Sequence, residues 1–136
     1  MGYPIMAGVK YKWKFMSSCN EDQKRIISKL EGLPEPDAFF EVYFYNTVSR
    51  KYLPNGTRCP VIPYEFVFSN ITIDKKLFLE KQCKGILSKA YALGDALLSH
   101  DNKKYELLRN EMTEQYSVFD ETTYSSVRSR GMFLAK

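Results

Sequence analysis

The stretch from Phe39 to Ser49, Phe-Phe-Glu-Val-Tyr-Phe-Tyr-Asn-Thr-Val-Ser, decides how the rest of the chain is read. Phe40, Val42, Phe44 and Val48 fall on one face of an extended segment, and Phe39, Glu41, Tyr43, Tyr45 and Thr47 on the other. Aromatic and β-branched residues suit a pleated surface, so this reading predicts a strand. Rings on both faces make it a central strand covered on both sides, or one that exposes a tyrosine platform.

Upstream, Val9, Tyr11, Trp13 and Phe15 alternate with Lys10, Lys12 and Lys14, the period-2 pattern of a strand with one wet face. Between these two strands lies a helix. Ser18 with Glu21, or Asn20 with Gln23, has capping-box spacing, and Ile26, Ile27, Leu30 and Leu33 form its apolar stripe. Gly32, Pro34 and Pro36 end it. Downstream, Arg50 to Pro60 is a loop with Pro54-Asn55-Gly56 as its turn signal. A third strand is expected from about Val61 to Ile73, where Tyr64, Phe66 and Phe68 alternate with Glu65, Val67 and Ser69 and where Pro60 and Pro63 suit a sheet edge.

The second half changes character. Asp74 is an N-cap for a long helix reaching about Ser99, with Leu79, Cys83, Ile86, Ala90, Leu93 and Leu97 in a heptad-like seam. Leu87, Tyr91, Gly94 and Leu98 make a second stripe beside it. His100-Asp101-Asn102 is a turn, and Tyr105, Leu108, Met112, Gln115 and Phe119 carry the seam of a further helix. The short connection predicts an antiparallel helical hairpin. The tail from Asp120 adds a strand or a short helix.

The element order is therefore β-α-β-β-α-α: an α+β domain in which a small, aromatic-rich antiparallel sheet packs against a C-terminal helical hairpin. Residues 1–136 read as a single domain, with a sheet-forming part over 1–73, the hairpin over 74–119 and the tail over 120–136. The 136 residues, 44% hydrophobic and 26% charged, suit one globular domain and exclude a disordered chain or a collagen-like repeat. No targeting or membrane-spanning segment is visible, which predicts a cytoplasmic protein, cytoplasmic in the host cell if phage-encoded. Cys19, Cys59 and Cys83 are odd in number and show no paired spacing, so they read as reduced thiols. On the same reading, the triplets Asn55-Gly56-Thr57 and Asn70-Ile71-Thr72 carry no weight as glycosylation signals.

No catalytic constellation can be assembled. His100 is the single histidine and lies at a turn, and the cysteines lack the close pairs of a structural zinc site. No glycine-rich phosphate loop is present. The reading is of no enzyme, no metal and no cofactor. Two features point to binding instead. Lys10, Lys12 and Lys14, with Arg50, Lys51, Tyr52 and Arg58, interleave cations with rings, a mixture that grips phosphates and stacks bases. The net charge of +4 sits in the first part of the chain, where residues 1–58 hold nine Lys and Arg against six acids. Lys75 and Lys76 stand in the first turn of the long helix, where they oppose the helix dipole unless an anion is bound.

These features predict a non-catalytic binding protein that sequesters or inhibits a partner macromolecule or small ligand, in the manner of phage and mobile-element accessory proteins. The alternative is a binder of single-stranded nucleic acid or nucleotides through the basic and aromatic face. A homodimer is also expected, joined through Leu87, Ala90, Tyr91, Gly94 and Leu98, because the small residues at 90 and 94 allow a second helix to approach closely.

Overall fold

The computed structural model describes residues 17–136, and among them the chain is helical, with no strand longer than one isolated bridge between Tyr52 and Arg58. The α+β expectation is corrected: no antiparallel sheet exists among the described residues. The strand predicted over Val9–Phe15, with its three lysines, lies outside them. The helices are α1 (Ser17–Leu30), α2 (Glu35–Phe44, continued by a π-helical turn over Tyr45–Ser49), α3 (Tyr64–Val67), α4 (Ile73–Leu87), α5 (Ala90–Leu98), α6 (Asn102–Gln115) and α7 (Glu121–Ala135). The chain divides into two compact units, one ending at Lys76 and one from Leu77 to Lys136.

In the first unit, α1 follows its local signals and closes on Gly32 at φ +84°, a left-handed residue that suits a helix C-terminus. The next segment overturns the strand reading. Pro34 and Pro36 do not merely stop α1. They open α2, with Pro36 in the first turn, where no amide is needed, and Glu35 and Asp37 beside the positive end of the dipole. From there Ala38, Phe39, Val42, Tyr45 and Asn46 recur at spacings of three and four, and all are buried. The alternation of Phe40, Val42 and Phe44 fits a strand over so short a window, but burial follows the helical period.

Phe39 lies between two rings from the segment expected as the third strand. It stacks on Tyr64 with centroids 4.5 Å apart and meets Phe68 at 5.7 Å. That segment is one helical turn, α3, followed by irregular chain, so its aromatics pack as a cluster rather than along a pleat. A stacked ring pair contributes about 0.5–1.5 kcal/mol beyond the area it buries.

In the second unit, the seam residues Leu79, Cys83, Ile86, Ala90 and Leu93 are buried as expected, although the helix that carries them breaks between Leu87 and Ala90. Ser88 donates its hydroxyl to the Gly85 carbonyl at the break. His100, at φ +56°, turns the chain, and the Asp101 carboxylate accepts from the Lys104 amide to cap α6. The tail is neither strand nor short helix but α7, fifteen residues long and capped by Asp120, and it is the main neighbour of α5. The crossing is close because it has no side chains at its centre. A Cβ on Gly94 would lie 2.1 Å from the Gly131 carbonyl oxygen, and one on Gly131 would lie 1.9 Å from that of Ala90.

Candidate functional site

The first unit gathers four cations, Arg25, Arg50, Lys51 and Arg58, around one carboxylate and one exposed ring. Arg25 and Lys51 both pair with Asp22, Lys51 at 3.2 Å, and all but 9% of the Asp22 side chain is covered. A cavity of about 120 Å³ opens between Asp22, Arg25, Ile26, Tyr45, Ser49 and Lys51. Tyr52 beside it is 71% exposed, and the Arg58 guanidinium lies 5.2 Å from the centre of its ring.

The loop that carries these groups is held along its length. Cys59 is joined to Cys19 of α1 by a disulfide, with both residues fully buried. This corrects the reading of all three cysteines as thiols; only Cys83 is outside a disulfide, and it is buried. No spacing rule could have found the pair, because its partners are 40 residues apart and meet only in the folded chain. At the base of the loop the Asn46 side chain accepts from the Ile62 amide at 2.8 Å and donates to the Ile62 carbonyl at 2.9 Å. Gln23 donates to the Pro60 carbonyl at 2.7 Å and to the Tyr45 hydroxyl, which itself donates to Pro60. Arg50 donates through Nε to the Asn46 carbonyl and through Nη1 to that of Cys59, each at 2.9 Å.

The tip is equally ordered: Gly56, at φ +88°, donates to the Leu53 carbonyl, and Asn55 Oδ1 accepts from the amide and hydroxyl of Thr57. The π-helical turn brings Asn46 and Arg50 to the loop from consecutive turns of one element, a use often seen where such turns occur. Burial is the main reason the Tyr45 hydroxyl titrates above its ordinary value of 10.0; the hydrogen bond from Gln23 offsets part of that rise.

The cations singled out in the sequence do not share one site. Arg50, Lys51, Tyr52 and Arg58 meet at the loop. Lys10, Lys12 and Lys14 lie outside the described residues. Lys75 and Lys76 do occupy the first turn of α4, but they face carboxylates: Lys75 pairs with Glu35, and Lys76 pairs with Glu65 at 2.9 Å while lying 5.3 Å from the Tyr64 ring. The hydrogen bond from Lys76 holds the Glu65 carboxyl below its ordinary value. With Asp74 in the same turn, the helix N-terminus already has negative charge near it.

Of the residues assigned to a dimer surface, Ala90 and Gly94 are buried at the crossing with α7, while Tyr91 and Leu98 are exposed and Leu87 is half-buried. Among the described residues, no three His, Cys, Asp or Glu gather as a metal would require, and no helix is long and apolar enough to cross a membrane. The signals missed in the sequence were Asp22, Gln23 and Asn46, three polar side chains buried in the first unit. Gln23 and Asn46 sit where a helical period places them inside, which marks a polar residue with a structural partner. No family model, no curated protein and no solved structure matches the chain.

Proposed function

We propose that the protein is a non-catalytic binding protein that engages a partner macromolecule through the loop Lys51–Arg58. The observation that carries this reading is Tyr52, a largely exposed ring on a loop fixed by a disulfide and by buried side-chain hydrogen bonds. An exposed aromatic is a usual anchor of binding energy, and a loop ordered before contact avoids most of the entropy cost of ordering on contact. Arg58 orients the ring, while Arg25 and Lys51 supply a positive rim around it. Asp22 offsets one of the four nearby charges, which leaves the face cationic and suits an acidic partner surface.

The same cation and ring combination favours a second reading, a single-stranded nucleic acid whose bases stack on Tyr52. Compartment belongs to the proposal too. The cytoplasmic setting expected from the lack of a visible targeting segment went with a reading of the cysteines as reduced thiols, whereas the Cys19–Cys59 bond supports an oxidising one.

Affinity capture from the native source with wild-type and Tyr52→Ser baits, read by mass spectrometry, tests the first reading. Partners retained by the wild type and lost by Tyr52→Ser are expected; an identical set on both baits would overturn it. Titration of a labelled single strand at rising salt separates the second. Phosphate contacts require binding that weakens steeply with salt, and absence of binding at low salt rejects nucleic acid.

A further inference from the structure

In the second unit a larger cavity, about 440 Å³, lies between the C-terminal half of α4 and the end of α6. Its volume falls within the range of small-molecule sites. Lys81 and Lys84, one turn apart on α4, line it, and neither is ion-paired among the described residues, unlike Lys75 and Lys76 at the other end of the same helix. No carboxylate lines the cavity. Gln82, Gln115 and Ser88 supply neutral polar groups at the rim.

Tyr116 forms one wall. Its ring lies against Gly85, where an added Cβ would be 2.5 Å from Oη and 2.7 Å from Cε1, so only glycine leaves room for it. Although Tyr116 is just 8% exposed, its hydroxyl has no hydrogen-bond partner among the described residues, while its backbone carbonyl accepts from Tyr124. The Tyr116 hydroxyl is not sealed from water, so it can donate to a bound molecule.

We propose that this cavity is a second binding site, separate from the loop, for a small organic anion that joins a flat ring to a doubly charged group such as a phosphate monoester. Two unpaired ammonium groups match the two charges, the phenol hydroxyl donates to an oxyanion, and the Tyr116 ring faces the ligand's own ring. The negative end of the α4 dipole opposes an anion here, but it amounts to about half a charge against two whole ones. The nearest α4 carbonyls, those of Lys84 and Gly85, are already engaged by the Ser88 amide.

Phenyl phosphate is the probe, titrated into the full chain and followed by amide chemical shifts, with inorganic phosphate and benzyl alcohol as comparison arms. Saturable shifts confined to residues 81–88 and 115–116 are expected, with each comparison arm at least about tenfold weaker. The double variant Lys81→Gln with Lys84→Gln should lose about tenfold or more in affinity, and Tyr116→Phe, which keeps the ring, a smaller factor. No saturable shift at millimolar phenyl phosphate, or unchanged binding in the lysine variant, would overturn the site. Equal affinity for inorganic phosphate would overturn the ring half of the assignment. Tyr52→Ser, which disables the loop, leaves this titration unchanged.

Discussion

Gly94→Ala sets two effects of opposite sign against each other. In a helix interior alanine is favoured over glycine by about 1 kcal/mol, so the exchange ordinarily stabilises. At Gly94 the new methyl would lie 2.0 Å from the Gly131 carbonyl carbon, 2.1 Å from its oxygen and 2.4 Å from the Met132 nitrogen. These are backbone atoms of a helix and cannot swing aside as a side chain does. Relief therefore requires α5 and α7 to separate by roughly 1 Å, which forfeits up to about half the dispersion energy across their interface. With some 40 atom pairs there, about as many as one buried leucine makes, the loss is about 3 kcal/mol. Set against the propensity gain, the net destabilisation is about 2 kcal/mol, read as a lower urea midpoint at unchanged slope. Gly131→Ala meets the Ala90 carbonyl and should cost a similar amount, and the double variant should cost less than the sum, because one separation relieves both overlaps. A Gly94→Ala protein as stable as wild type, or more stable, would refute the close crossing.

Replacing Cys19 and Cys59 together by serine opens a covalent loop 40 residues long, which in the chain-entropy account costs about 4 kcal/mol. Non-reducing mass analysis with thiol labelling should find one reactive cysteine on unfolding wild type under oxidising conditions, and three after reduction; three without reductant would show the pair unbonded. Glu41 tests the electrostatics of α2: burial, partly offset by Lys29 and reinforced by Asp37, raises its carboxyl above the ordinary 4.5. A raised folded-state value means that its ionisation opposes folding, by an amount that grows as pH climbs above 4.5 toward the folded value and is absent below 4.5. Glu41→Gln should therefore raise the melting temperature at neutral pH and gain progressively less as the medium is acidified toward 4.5; a gain independent of pH would assign the effect to packing.

Much of the chain's local punctuation was legible in its residues. The end of α1 at Gly32, the turns at Asn55-Gly56 and at His100-Asp101-Asn102, and the buried seam through Leu79, Cys83, Ile86, Ala90 and Leu93 follow from backbone freedom, turn chemistry and the 3.6-residue period. The cation and ring cluster at Arg50, Lys51, Tyr52 and Arg58 was legible too, because the loop that bears it is short.

Tertiary structure decided the rest. Phe39 to Ser49 satisfies both a two-residue and a helical period, and what selects the helix is Phe39 meeting Tyr64 and Phe68 while Asn46 reaches Ile62. The Cys19–Cys59 bond, the seating of Gly94 against Gly131 and the placing of Tyr116 over Gly85 are likewise pairings between distant positions. A residue's own conformational preference acts over a few neighbours and can be read along the chain. Which distant surface it meets depends on the packing of every element between, and that is settled only when the chain has folded.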